Sequence, residues 1–180
     1  ANSSFELYQN GLGYNNLLFM SAVLGDMAIE KGGIYHNLLL IEEPEAHLHP
    51  QLQELVHSFL EDANRNDSNI QIIYTSHSPT LASKIDIENI NLIYECGHEK
   101  FCLPFSEAKL NEDNKKYLQR YLDVTKSQMF FARGILFVEG ISEAILIPEM
   151  AKALDRPLEK YAVELVTVDS VAFKPFVNLF

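Results

Sequence analysis

Apolar and polar positions in the first half of the chain predict a helix, a strand, a second helix and a second strand. Residues 17–29 are apolar on nearly every side, so we expect a helix that lies in a core. Residues 38–41 are apolar without alternation, as in a strand buried on both faces of a parallel sheet. Pro50 begins an amphipathic helix, a polar turn covers residues 64–69, and a strand follows at residues 70–75. The apolar stripe of that helix comprises Leu52, Leu55, Val56, Phe59, Leu60 and Ala63.

The second half of the chain begins with two more strands and two helices. Strands are predicted at residues 89–94 and 101–105, around a turn at 95–100. A polar helix over residues 112–123 then leads into a short apolar helix that ends near Ala132.

A second strand–helix–strand pattern follows. It comprises a strand at residues 135–138, a helix at 142–154 that Pro148 interrupts, a strand at 163–168 and the start of a helix at 173–180. Two such units with short links predict parallel strands joined by right-handed crossovers. The expected fold class is therefore α/β, with a mainly parallel sheet.

The charge balance limits the kinds of partner. The 180 residues hold 14 Lys and Arg against 25 Asp and Glu, a formal net charge of −11. This excludes a generally basic protein that coats nucleic acid, so any nucleic-acid contact would be local or would run through metal ions. No apolar run reaches the roughly 18 residues of a membrane span, and no basic-then-apolar signal begins the sequence. Cys96 and Cys102 form neither a zinc spacing nor a disulfide framework, which is typical of the cytoplasm.

The first candidate site is the pair Glu42 and Glu43, directly after the strand at residues 38–41. Ligands of parallel α/β sheets bind at the carboxyl ends of strands. Two acids there repel each other unless a cation or a proton compensates. An apolar strand followed by two acids has the form of a Walker B motif, although the same pattern also occurs as an ordinary strand end on a solvated acidic surface.

The second candidate site is His77, in the loop after the next predicted strand. Ser78 is suited to cap a helix and Pro79 to begin it, which places His77 between a strand end and a helix start. A single histidine there is more often a hydrogen-bonded loop residue. The paired acids after the preceding strand favour a functional role.

The third candidate site lies at the start of the second unit. Glu139 ends an apolar strand, Gly140 allows a close turn, and Glu143 falls in the first turn of the next helix, so both carboxylates can face one crevice. Glu143 has a simpler explanation, because an acid at a helix N-terminus is stabilising by several tenths of a kcal/mol. Glu139 has no such explanation.

Residues 38–50 together with His77 resemble the second half of an ABC-type ATPase of the branch that includes RecF, SMC and OLD proteins. The resemblance implies that Glu42 is the Walker B acid that binds Mg²⁺, Glu43 the catalytic glutamate, and His77 the switch histidine that senses the γ-phosphate. It makes residues 45–49 the D-loop. Residues 10–16 occupy the place of the signature motif without its usual Ser-Gly-Gly-Gln core. The implied ATP-binding residues are Asn10, Gly11, Gly13, Glu42, Glu43 and His77.

The segment from Glu139 to Glu143 resembles the opening of a Toprim domain as found in OLD-family endonucleases. There Glu139 would act in metal-dependent cleavage, and both glutamates would bind metal. This divides the chain into residues 1–133, the C-terminal part of an ATPase domain, and residues 134–180, the N-terminal part of a Toprim nuclease domain. The sequence lacks a Gly-x-x-x-x-Gly-Lys-Ser/Thr loop, and Asp169 is not followed by a second acid two residues later. We therefore expect an internal piece that has neither activity by itself.

The resemblance implies a cytoplasmic, ATP-dependent DNA endonuclease that uses Mg²⁺ or Mn²⁺. Its partners would be ATP, DNA and a second copy of itself, in a homodimer or higher homo-oligomer formed through the ATPase head, with no membrane. DNA repair or phage defence would be its setting. One alternative is a RecF- or SMC-like repair or structural ATPase without nuclease activity. Another is a non-catalytic module in which the head only dimerises.

Overall fold

The computed structural model describes residues 10–29, 36–66, 69–168 and 173–180. The chain divides into two compact units, Ala1–Lys84 and Ile85–Phe180. The two units are defined by the contacts within each of them. The boundary near residue 133, which separates two expected functions, stays a prediction.

The first unit is built on one parallel strand pair. Its elements are α1 (Leu12–Ile29), β1 (Asn37–Glu42), α2 (Pro50–Asn66), β2 (Ile70–Thr75) and the short α3 (Pro79–Ala82). Strands β1 and β2 pair in parallel, with Leu39 opposite Ile72 and Glu42 opposite Thr75. The predicted strand–helix–strand unit is confirmed, although α2 extends three residues into the predicted polar turn.

The core of the first unit lies between the helices and one face of the strand pair. Val56 and Leu60, from the predicted stripe of α2, are buried there with Met20, Leu24 and Leu48. Leu55, from the same stripe, is exposed. Burial of each large apolar side chain contributes about 1.5–3 kcal/mol, so this five-residue cluster stabilises the unit.

The prediction that β1 is buried on both faces is wrong for the described residues. Burial alternates along the strand, with Leu38 and Leu40 exposed while Leu39 and Ile41 pack against the core. Successive side chains of a strand point to opposite faces, and among the described residues only one face is covered. Helix α1 is likewise buried on one side only, since Phe19 is 71% exposed.

The predicted start of the first helix, at residue 17, is also corrected. Helix α1 already begins at Leu12, and the backbone N–H of Asn15 donates to the carbonyl of Gly11. Gly13 therefore belongs to the first turn of a helix. Glycine is a weak helix former, so its position here calls for a packing reason, which is described below.

The described residues of the second unit form an antiparallel hairpin, a second parallel strand pair and four α-helices, besides short 3-10 helices. Its elements are β3 (Asn91–Cys96), β4 (Glu99–Pro104), α4 (Glu112–Tyr121), α5 (Val124–Ser127), β5 (Gly134–Val138), α6 (Ile141–Ala153), β6 (Val163–Thr167) and α7 (Phe173–Leu179). Strands β5 and β6 are parallel. The α/β fold class with short parallel sheets is confirmed.

The hairpin strands lie at residues 91–96 and 99–104 rather than at 89–94 and 101–105, and two predicted helices also differ from the structure. The polar helix ends at Tyr121, because Leu122 leaves helical geometry and Asp123 caps α5 by accepting a hydrogen bond from the N–H of Lys126. Helix α6 continues through Pro148. A proline removes a single backbone donor, and the remaining hydrogen bonds of this 13-residue helix hold it together.

Aromatic side chains pack the second unit. The ring of Phe176 contacts the rings of Tyr121 and Phe137, and the hydroxyl of Tyr121 donates to the carbonyl of Thr167 at the end of β6. Helix α4 is thereby fastened to β6. In the described parts of the chain, no helix is both long and apolar enough to cross a membrane.

Candidate active sites

The paired acids lie at the carboxyl end of β1, as predicted. Glu42 is the last residue of the strand, opposite Thr75 of β2. The next residue continues the ladder, since the backbone N–H of Glu43 donates to the carbonyl of Thr75 at 3.1 Å and to its Oγ1 at 3.3 Å. The backbone of Glu43 is thus held to the neighbouring strand, while its carboxylate stays exposed.

Two residues of the turn after β1 have a left-handed backbone, as do Asp155 and Ala162 in the second unit. Glu43 has φ of 46° and His47 has φ of 63°, in the left-handed region that non-glycine residues seldom adopt. The turn closes with hydrogen bonds from the N–H of Ala46 to the carbonyl of Glu43 and from the N–H of Leu48 to the carbonyl of Glu45. Each such conformation costs about 1–3 kcal/mol and is concentrated at functional sites.

The structure brings His77 to Glu43. Its Nε2 lies 3.5 Å from Oε1 of Glu43, and its side chain is 81% exposed. Ser78 caps α3 by accepting a hydrogen bond from the N–H of Leu81, and Pro79 begins the helix, as predicted. Water screens an exposed acid–imidazole pair, so this contact contributes little to stability. Both side chains face solvent and can therefore contact a ligand.

Glu45, the first residue of the segment that resembles a D-loop, was not predicted as a site residue. It is 8% exposed, and its Oε1 accepts hydrogen bonds from Oγ of Ser76 at 2.6 Å and from the backbone N–H of His77 at 3.0 Å. The neighbouring Ser78 is joined to α2, because its hydroxyl donates to Oε1 of Gln53 at 2.6 Å. The signals in the sequence were the D-loop resemblance and the position of Glu45 two residues after the paired acids.

Tyr74 of β2 packs against the core of the first unit. Burial, followed by the negative charges of Glu45 and Glu61, raises the pKa of Tyr74 to about 12. Its hydroxyl lies 3.4 Å from Nδ1 of His57. Tyr74 therefore remains protonated near neutral pH.

Gly13 packs directly against the turn after β1. A Cβ at Gly13 would stand 2.6 Å from Cδ2 of Leu48 and 2.7 Å from the backbone oxygen of His47. The first turn of α1 and the turn after β1 can approach this closely because residue 13 has no side chain. Around Gly11 there is open space. The described contacts do not join Asn10 or Gly11 to the acids, so their role in binding ATP stays a prediction.

Replacing Gly13 by alanine should destabilise the protein. The backbone oxygen of His47 cannot move aside easily, and overpacking costs about 1–3 kcal/mol, which exceeds the roughly 1 kcal/mol gained in helix propensity. We expect the thermal midpoint to fall by about 2–4 °C, measured by circular dichroism. Gly25→Ala in the same helix is the matched control, because it has open space and should be neutral or stabilising. Equal effects of the two changes would contradict the packing role.

Helix α1 also borders the acids. Asn16 and Phe19 line a groove of about 220 Å³ whose other wall includes Leu40, Glu42 and Glu43. Asn16, the last residue of the segment that resembles a signature motif, therefore lines the same groove as the paired acids, whereas Asn10, Gly11 and Gly13 do not line it.

The third candidate site lies at the ends of β5 and β6. Glu139 follows the last residue of β5, and Glu143 lies in the first turn of α6, with both side chains exposed. The carboxylate of Glu143 turns back over Gly140, with Oε2 at 3.6 Å from the position of a Cβ there. The N–H of Val168 donates to the carbonyl of Val138 at 2.7 Å, which aligns the two strand ends. Asp169 and Val171 lie outside the described residues.

The first candidate site, Glu42 with Glu43, and the third, Glu139 with Glu143, each contain two carboxylates. Carboxylate oxygens are the ligands that Mg²⁺ prefers, and Mg²⁺ commonly binds through one or two of them, so the donor set fits this class of metal. Within the described ranges, no group of three or more His, Cys, Asp or Glu side chains is arranged to hold a metal. Metal binding by Glu42, Glu139 and Glu143 therefore stays a prediction.

Two family models match the chain, one over each region that contains candidate residues. The model described as "AAA ATPase domain" matches residues 1–82, which include Glu42, Glu43 and His77. The model described as "Overcoming lysogenization defect protein-like, TOPRIM domain" matches residues 130–180, which include Glu139 and Glu143. The order of the two matches is that of an ATPase–Toprim protein. Both matches support the resemblance to OLD-family proteins.

Curated relatives agree with this resemblance. "Endonuclease GajA" of Bacillus cereus (strain HuB5-5) is 33% identical over 95% of this chain and 29% of its own length. "OLD nuclease" of Thermus scotoductus (strain ATCC 700910 / SA-01) is 28% identical over 65% of the chain and 23% of its own length. "Uncharacterized protein YbjD" of Escherichia coli (strain K12) is 24% identical over 78% of the chain and 25% of its own length. The chain thus spans less than a third of the length of each of these relatives.

Proposed function

We propose that the full-length protein is an ATP-dependent, divalent-metal-dependent DNA endonuclease. The observation that carries the proposal is that one chain holds two acidic strand ends, one in the region matched by the ATPase model and one in the region matched by the Toprim model. Two of the relatives are named as nucleases, which supports cleavage of nucleic acid.

In the ATPase part we assign separate roles to the three side chains. Glu42 binds the Mg²⁺ that accompanies ATP. Glu43 orients the attacking water and accepts its proton, and His77 contacts the γ-phosphate. The 3.5 Å separation between Glu43 and His77 supports this, since both groups must face one transferring phosphoryl group. Asn10, Gly11 and Gly13, at the start of α1, are assigned to the phosphate of bound ATP, because a helix start offers free backbone N–H groups.

In the Toprim part, Glu139 acts as the base or as a metal ligand, and Glu143 is a metal ligand. A divalent cation, when bound, supplies an activated nucleophile and stabilises the leaving oxygen of the phosphodiester. The position of both carboxylates at the start of α6 and the end of β5 supports their acting on one scissile phosphate.

We further assign residues 1–133 to the ATPase part and residues 134–180 to the nuclease part. The substrate is DNA, the ion is Mg²⁺ or Mn²⁺, and the ATPase head pairs with a second copy in a homodimer or higher homo-oligomer. We propose that the protein acts in the cytoplasm, in DNA repair or phage defence. Because the protein is acidic, DNA would be bound through metal ions and local Lys and Arg side chains.

The test uses the full-length protein with plasmid DNA. We expect cleavage with Mg²⁺ or Mn²⁺ and its loss when EDTA removes the metal, while ATP hydrolysis is followed separately by phosphate release. Metal titration monitored at Glu139 and Glu143 should show saturable binding. ATP hydrolysis without cleavage at any metal concentration would favour a RecF- or SMC-like ATPase instead. Absence of nucleotide binding would favour a module that only dimerises.

A further inference from the structure

Glu45 is a buried acid that the proposed mechanism leaves without a role. Its Oε1 accepts two hydrogen bonds, whereas Oε2 is buried and has no hydrogen-bond donor among the described residues. Keeping a carboxylate in such a place opposes folding, because a buried oxygen without a donor loses its hydration. A residue retained only for packing would not need this group.

We infer that Glu45 is the positioning residue that fixes His77 relative to Glu43, an inference that rests on the proposed ATPase function. Glu45 lies in the same turn as Glu43, two residues further along the chain. Its carboxylate binds the loop after β2 at the backbone N–H of His77, at 3.0 Å. One short turn therefore determines the positions of both the acid and the imidazole.

The need for such a contact follows from the exposure of His77. At 81% exposure, its ring has few neighbours that could hold it, and water screens its 3.5 Å approach to Glu43. The position of the ring is thus set mainly by its own backbone. That backbone is held by Glu45 on one side and by the Ser78 cap of α3 on the other.

The test compares Glu45→Ala with Glu45→Gln in the full-length protein. An amide oxygen can still accept from Ser76 and from the N–H of His77, whereas alanine removes the acceptor. We expect Glu45→Ala to lower kcat for ATP hydrolysis by about tenfold or more, with KM for ATP nearly unchanged, because misplacing a group by about 1 Å can cost about 100-fold. Glu45→Gln should recover most of this loss.

A double-mutant cycle separates positioning from a general loss of stability. If Glu45 acts through His77, adding Glu45→Ala to His77→Ala should change kcat by less than about twofold. Ser83→Ala is the matched control. It also removes a buried side-chain hydrogen bond of this unit, which the Ser83 hydroxyl donates to the carbonyl of Thr80 at 2.8 Å. It should leave kcat unchanged.

Hydrogen exchange of the peptide that contains His77 gives a readout independent of activity. Glu45→Ala should increase the exchange of the His77 N–H several-fold, and Glu45→Gln should not. Unchanged exchange in Glu45→Ala, or additive effects in the cycle of an active enzyme, would overturn the inference alone. A wild-type protein that binds but never hydrolyses ATP would contradict the proposed function and, with it, the catalytic purpose of this contact.

Discussion

Glu43→Gln in the full-length protein is expected to lower kcat for ATP hydrolysis by at least about 100-fold while ATP binding persists. Glutamine keeps the shape of the side chain but cannot accept a proton from water. Its position should also persist, because two hydrogen bonds from the backbone N–H of residue 43 to Thr75 hold this point of the chain. The change therefore separates chemistry from binding.

The measurement is phosphate release at saturating ATP, with nucleotide affinity followed by calorimetry. Glu54→Gln is the matched control. It also removes a partly exposed acid of the first unit, whose Oε1 lies 3.4 Å from Nζ of Lys84, and should leave turnover within about twofold. Turnover of Glu43→Gln within about twofold of the wild type would remove Glu43 from the catalytic role.

Local sequence signals predicted those parts of the fold that depend on neighbours in the chain. Pro50 begins α2, and Ser78 with Pro79 begins α3, because capping and a fixed φ act within one helical turn. The pairing of β1 with β2 follows from two apolar segments joined by an amphipathic helix. The location of Glu42 and Glu43 at a strand end required no further information.

Features that depend on contacts between distant segments were missed. Gly13 lies before the helix predicted at residues 17–29, and nothing in the sequence indicates that the backbone oxygen of His47 lies 2.7 Å from the place of its Cβ. Glu45 was placed in the segment that resembles a D-loop, but the hydrogen bonds that its Oε1 accepts from Ser76 and from the N–H of His77 were not predicted. The exposed face of β1 was predicted as buried because an apolar run does not reveal which faces are covered.

Glu139→Ala is expected to abolish metal-dependent DNA cleavage by the full-length protein while ATP turnover stays within about twofold of the wild type. A metal site that loses one of its carboxylates, or the base itself, loses the group that activates the nucleophile, and such losses reach about 100- to 10,000-fold. ATP turnover should survive because Glu43 and His77 belong to the other compact unit. Stability should also survive, since Glu139 is exposed at the end of its strand.

Plasmid nicking and linearisation with Mg²⁺ or Mn²⁺ measure the effect. Glu149→Ala is the matched control, because it removes an exposed acid of α6 whose Oε1 lies 2.8 Å from Nζ of Lys152, away from the strand end. It should cleave like the wild type. Cleavage that persists in Glu139→Ala would mean that Glu139 is only a strand-end acid and that Glu143 only stabilises the start of α6. The acidic strand end at β5 would then belong to an ATPase without this nuclease centre.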